Sequence, residues 1–202
     1  MLDQIYEAFD LMDKGQLEEA LLLLDGLVVA PESEVYYTYL STYGYVYTAL
    51  KDYNQALQSY QNYLAKAVTE GSFKEQHIAH HQLCMVYREL GDYVSAMAEL
   101  DLERALIAQH FASDDLVWAV HLYEVGYLAY LLGEHGRAEQ VMQTSLDHAL
   151  RTDDWIAQAC AYRGLGEILS SSAHLYQAKS LFEQAGDPIG SQEIDDLLSH
   201  LP

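Results

Sequence analysis

A small residue stands twelve positions before an alanine five times in this chain: Ala8/Ala20, Gly44/Ala56, Cys84/Ala96, Gly126/Ala138 and Gly166/Ala178. Three residues before each alanine come Leu17, Tyr53, Tyr93, His135 and Leu175, and four after it come Leu24, Tyr60, Leu100, Met142 and Phe182. Small side chains on two neighbouring helices let the backbones approach, and the bulky positions fill the space around that contact, so each copy predicts a helical hairpin. The alanines follow one another at 36, 40, 42 and 40 residues, a period that specifies a stacked array. The clearest copy runs from Tyr36 to Tyr63, two apolar helical patterns around a polar turn at Lys51 and Asp52; Gly15, Gly91 and Gly133 mark the turn in three others.

This pattern resembles the tetratricopeptide repeat family, whose hairpins carry Gly or Ala on the first helix and Tyr, Ala and Phe on the second, often with a closing proline. The resemblance covers nearly the whole chain. It departs from the family in its spacing, longer than the usual ~34 residues, and in having only Pro31 and Pro188 near the closing-proline place. Longer spacing is similar to that of kinesin light chains and of bacterial peptide-sensing receptors. The resemblance implies an all-α, right-handed superhelix of about five hairpins plus a C-terminal capping helix. The expected organisation is a single domain over residues 1–202, with repeats near 1–30, 32–70, 72–111, 113–151 and 152–186 and a capping helix at 190–201.

Bulk properties narrow the function. A net charge of −21 argues against nucleic acid and anionic membranes, because either would add repulsion instead of releasing counterions. It favours a cationic or apolar partner, although charge spread along solvated faces also serves solubility. No apolar run approaches the ~20 residues of a membrane span, and the opening MLDQIYEAFD is an acidic amphipathic pattern unlike a basic leader, so the expectation is a cytoplasmic chain. Cys84 and Cys160 fall in helices of different repeats and read as packing residues.

Local signals place the helices. The first helix of the second repeat is expected over Glu32 to Leu50. Its tyrosines are too many for the hairpin interior alone. Ser72 with Glu75 is a capping-box pattern that starts a helix near Phe73, and its partner helix is expected over Tyr93 to His110. Ser113-Asp114-Asp115 and Thr152-Asp153-Asp154 supply caps for two further helices. Past Phe182, Gly186, Pro188 and Gly190 break the pattern, Ser191 offers a cap, and Ile194, Leu197, Leu198 and Leu201 form the stripe of a closing helix. That stripe covers the last hairpin or, alternatively, receives a second copy of the chain.

The resemblance implies that the first helix of each hairpin lines a groove with the face opposite its small residue. Counting back from each alanine by fifteen, eleven and eight places Ser41, Tyr45 and Thr48 there, then His81, Met85 and Arg88, then Tyr123, Tyr127 and Tyr130, then Arg163, Glu167 and Ser170; Ile5, Phe9 and Met12 hold these places in the first repeat. Tyrosines offer broad apolar faces with a hydroxyl, Met85 adapts to shape, and Arg88 and Arg163 are suited to holding a carboxylate. The opposing interpretation packs these tyrosines against the next hairpin and pairs Arg163 with Glu167 one turn away. Chaperone-binding clamps of the family use Lys and Asn on this face, and this face has neither.

Catalytic signals are sparse. His77 and His81 share a helical face that permits two-point metal binding, but His80 falls on the packed side and no further ligand is fixed by spacing. There is no HExxH, phosphate-cradling glycine loop, nucleophile elbow or paired-cysteine motif. The reading is therefore a noncatalytic protein- or peptide-binding scaffold with no cofactor and no metal, its groove formed by Tyr45, His81, Met85, Arg88, Tyr123, Tyr127, Tyr130, Arg163 and Glu167. The alternatives are a homo-oligomerisation module, such as a homodimer, and a stripped-down regulatory peptide receptor.

Overall fold

The connection inside each hairpin rests on one left-handed residue followed by one residue that opens the next helix. In the computed structural model, which describes residues 1–201, Gly15, Lys51, Gly91, Gly133 and Ser170 all have φ between 49° and 80°. The residue after each sends its amide back five positions at 2.9 Å: Gln16 to Leu11, Asp52 to Tyr47, Asp92 to Tyr87, Glu134 to Ala129 and Ser171 to Gly166. This closes the preceding helix as a Schellman motif and begins the next within two residues. Lys51 and Ser170 adopt this conformation with a Cβ, at a cost of about 1–2 kcal/mol each. Lys51→Gly and Ser170→Gly should each stabilise the protein by about 0.5 kcal/mol once the extra freedom of glycine in the unfolded chain is subtracted. Gly91→Ala should shift the urea midpoint the opposite way, and an unchanged midpoint in all three would show that these turns are not strained.

Two compact units are present, Met1–Glu103 and the chain from Arg104 onward. The first contains α1 (Leu2–Asp13), α2 (Leu17–Asp25), α3 (Tyr36–Ala49), α4 (Tyr53–Glu70), α5 (Phe73–Leu90) and the start of α6 (Tyr93–His110). Helix α3 begins four residues later than expected, because Ala30 to Tyr36 folds into two turns closed by Ser33 N–H to Ala30 O and Tyr36 N–H to Ser33 O. Lys66 on α4 fixes this linker: its ammonium donates to the Pro31 carbonyl at 2.7 Å, pairs with Glu70 at 2.5 Å and lies 5.0 Å from the Tyr37 ring centre. The surplus tyrosines of α3 pack against one another. Tyr36, Tyr39, Tyr43 and Tyr47 form a ladder with successive ring centres 6.3, 4.9 and 5.6 Å apart, and Tyr43 donates to Asp25 on α2 at 2.6 Å. Ser72 caps α5 by accepting from Glu75 N, but the Glu75 carboxylate takes the Tyr63 hydroxyl instead of completing the capping box.

The second unit holds the end of α6, then α7 (Asp115–Leu131), α8 (His135–Ala149), α9 (Trp155–Ile168), α10 (Ser172–Ala185) and α11 (Pro188–Ser199). Asp114 caps α7 through the amides of Leu116 and Val117, and Asp154 caps α9 through Ala157 N–H at 2.8 Å. Asp115 is drawn into a tertiary contact with His148 at 2.6 Å and Arg151 at 3.2 Å. The closing helix starts at Pro188, two residues before the expected position. Asp187 is its cap, accepting from Gly190 N–H at 2.9 Å, and Pro188 sits at the first helical position, where its missing N–H leaves nothing unsatisfied. Ile194 enters a cluster with Ala159, Leu175, Ala178, Leu181 and Phe182, while Leu197, Leu198 and Leu201 pack at its edge.

All five repeat alanines are fully buried, and the residues four beyond them, Leu24, Tyr60, Leu100, Met142 and Phe182, are at most 5% exposed. The glycines opposite them do different jobs. A Cβ on Gly126 would stand 3.2 Å from the Met142 amide and 3.4 Å from the Ala138 carbonyl, a close approach of backbones. Gly44 instead makes room for the Tyr60 ring. The fifth hairpin keeps the twelve-residue spacing but not the geometry, because α9 ends and α10 begins about one turn earlier relative to Gly166 and Ala178. Gly166 therefore faces Leu175, and Ser170, counted onto the groove face, is the turn residue. Among the described residues there is no strand, and no helix is long and apolar enough to cross a membrane.

Candidate functional site

In the first unit the expected groove residues lie on α3 and α5 as half-buried side chains. The Tyr45 hydroxyl accepts from Gln82 Nε2 at 3.1 Å, and its ring meets Phe9 and Tyr60 edge-on at 5.9 and 6.2 Å; burial raises its phenol pKa. His81 Nδ1 is 3.3 Å and His77 Nδ1 3.9 Å from the same Glu103 oxygen, and Glu103 is only 1% exposed. His80, on the packed side, bonds Glu99 at 2.6 Å. The shared face of His77 and His81 thus receives a carboxylate of α6, and among the described residues no group of three or more His, Cys, Asp or Glu side chains is arranged to hold a metal ion. Arg88 pairs with the adjacent Glu89 at 3.0 Å, and Met85, three residues before it, is half-buried.

In the second unit Tyr123, Tyr127 and Tyr130 descend one side of α7. Tyr123 and Tyr127 stack with ring centres 5.9 Å apart at 9°, Tyr130 follows at 6.2 Å, and Tyr130 meets exposed His135 at 5.6 Å. The first two rest on the cluster of Met142, Leu146, Ala161 and Leu165, so one side of each ring is core. Gly164 permits this packing: a Cβ there would stand 2.5 Å from the Met142 methyl.

Arg163 on α9 joins three helices. Its Nη2 donates to the Tyr123 hydroxyl at 2.9 Å, its Nη1 reaches Glu193 on α11 at 2.6 Å, and its Nε lies 3.3 Å from Glu167. Burial opposes its charge, but Tyr123, Glu167 and Glu193 more than compensate, so its pKa lies above the ordinary arginine value. Burial also pushes the neighbouring Cys160 thiol up to about 11, which leaves it protonated and unreactive near neutrality. The guanidinium is thereby committed within the protein.

Around this hub opens a cleft of about 340 Å³. Tyr127, Arg163 and Glu167 form one wall, and Glu193, Asp196, Leu197 and His200 of α11 form the other. Arg163 thus faces three carboxylates. Two further surface clefts lie at the α10–α11 junction and at the first hairpin turn, and neither contains a sequence-expected groove residue.

No family model and no curated protein matches the sequence. Solved structures do match in three dimensions. BtubC (BKLC) from P. vanneervenii superposes with a TM-score of 0.61 at 14% identity, over 96% of this chain and 78% of that one. A putative kinesin light chain from Podosopora anserina, built of nearly identical TPR-like repeats, gives 0.59 at 15% identity over 98% and 96%. A tetratricopeptide repeat protein from Parabacteroides merdae gives 0.52 at 16% identity over 99% and 79%. This is a tetratricopeptide-repeat fold. At such identities the likeness is one of architecture alone, so the tetratricopeptide-repeat neighbours supply the hairpin frame and the side chains of this chain supply its chemistry.

The α11 residues of the cleft were not legible as site residues. Their spacing announces a capping helix, and nothing in SQEIDDLLSHL marks Glu193 and Asp196 as facing α9. Glu103 was equally hidden. The acid at that position reads as solvated until the fold places two histidines over it.

Proposed function

We propose that this protein is a noncatalytic binding scaffold that takes a peptide or protein segment on the face of its first helices, with the α7–α9–α11 cleft as a principal contact. The supporting observation is that Tyr127, Arg163 and Glu167, three residues that helix spacing assigns to that face on two successive hairpins, line one cavity. An aromatic wall beside oriented charges suits recognition of a side chain in an extended or helical segment. The tetratricopeptide-repeat architecture supports the general role.

Affinity capture with the intact chain and with Tyr127→Ala tests this reading. The intact chain should retain a partner that the variant holds at least tenfold more weakly. Tyr127 also touches the core, so the variant's circular dichroism and melting curve must be measured beside it, and Arg88→Ala supplies an independent variant on the first unit. If both variants are folded and capture the same partners as the intact chain, or if nothing is captured, the reading fails.

A further inference from the structure

Resting on that reading, we propose that the α9–α11 cleft seats a basic side chain, lysine or arginine, of the bound segment, with Tyr127 as its wall and Glu193 and Asp196 as its counter-charges. The expectation from spacing alone is the reverse, an arginine holding a partner's carboxylate. The geometry points away from that. Arg163 has its Nη2 on Tyr123, its Nη1 on Glu193 and its Nε beside Glu167. A partner carboxylate would share the guanidinium with these contacts and would meet the carboxylates of Glu167, Glu193 and Asp196 that line the same cleft.

A cation meets the opposite situation. The cleft holds one arginine against Glu167, Glu193 and Asp196, so an entering positive charge restores local neutrality. Among the described residues the Asp196 carboxylate pairs with no cationic side chain: its Oδ1 accepts from Gln192 Nε2 at 3.2 Å, His200 Nδ1 lies on its backbone carbonyl at 2.6 Å, and both Asp196 and Glu193 are exposed at the rim. The stem of a lysine or arginine is apolar, and Leu197 and the Tyr127 ring offer it contact, while an aromatic face also attracts the charged head. A volume of about 340 Å³ accommodates one long side chain and part of its backbone. Three other cations of the second unit are likewise paired within the protein, Lys179 with Asp195 at 2.5 Å, Arg137 with Glu134 at 2.8 Å and Arg151 with Asp115 at 3.2 Å. The surface around the cleft therefore attracts basic segments.

The test uses the full chain and a minimal probe. Nuclear magnetic resonance titration with N-acetyl-arginine amide should produce saturable shifts of the Leu197, His200 and Tyr127 signals that weaken as salt is raised. N-acetyl-citrulline amide, equal in shape but uncharged, should bind at least fivefold more weakly, and N-acetyl-glutamate amide should leave these signals unmoved. Asp196→Lys, a change on an exposed position outside the Arg163 contacts, should abolish the arginine response while leaving the rest of the spectrum in place. No shift at α11, an equal response to citrulline, or an unaltered response in Asp196→Lys would overturn the proposal. If it fails in this way while capture still depends on Tyr127, the scaffold reading stands without it. If arginine binds here but no partner is captured, the cation site stands and the scaffold reading falls.

Discussion

Replacing Gly44 by alanine is expected to destabilise the protein by about 2 kcal/mol, as the net of overpacking and a gain in helix propensity. The new methyl would stand 2.2 Å from Cζ of Tyr60 and 2.5 and 2.7 Å from the flanking ring carbons. Tyr60 is 1% exposed and packs with Ala56, Leu83 and Val86, so its ring has no room to swing aside. Forcing a methylene into a filled core costs ~1–3 kcal/mol; a rigid ring puts this site at the upper end, and alanine's better helix propensity returns ~1 kcal/mol. Urea unfolding of Gly44→Ala, Tyr60→Leu and the double variant checks the argument. The loss in the double variant should fall well below the sum of the two single losses, because the shorter side chain clears the space that the methyl needs. Strict additivity, or no loss in Gly44→Ala, would show that the two residues do not oppose one another.

Ile194→Ala should cost more, about 3 kcal/mol within the ~2–5 kcal/mol usual for such truncations. Ile194 is fully buried among Ala159, Leu175, Ala178, Leu181 and Phe182, residues of α9 and α10, so removing its methyl groups leaves a cavity where three helices meet. Gln192→Ala, on the exposed side of the same helix, should stay within ~0.5 kcal/mol of the parent. Hydrogen exchange gives a second measure, in which Ile194→Ala should lose protection along α10 and α11 together. Equal stability of the Ile194 and Gln192 variants would mean that α11 is only loosely attached. The expected result makes α11 part of the core and hence a fixed wall of the cleft, able to hold Glu193 and Asp196 in place.

The residues that carry these two predictions show how far the chain could be read. Ala56 and Tyr60 were placed in the hairpin interior by spacing alone, and both are buried. Ile194 was assigned to a covering stripe, and it lies in the core of the last hairpin. What spacing could not supply was the partner of Gly44, because a glycine twelve residues before an alanine permits either a close backbone approach, as at Gly126, or an inserted ring, as here. The tyrosine ladder of α3 and the His77–Glu103–His81 arrangement were out of reach for the same reason. They depend on which helix crosses which and at what height.

The sequence by itself determined the hairpins, their number, the first four of their turns and the buried alanine positions, since a 3.6-residue period, a turn signal and a small packing residue are requirements that each segment meets within its own few dozen residues. Only the tertiary structure decided that the fifth hairpin slips by a turn so that Gly166 faces Leu175, and that α11 sets two carboxylates across from Arg163. Those outcomes turn on side chains far apart in the chain, whose meeting is set by packing between helices and leaves no periodic mark.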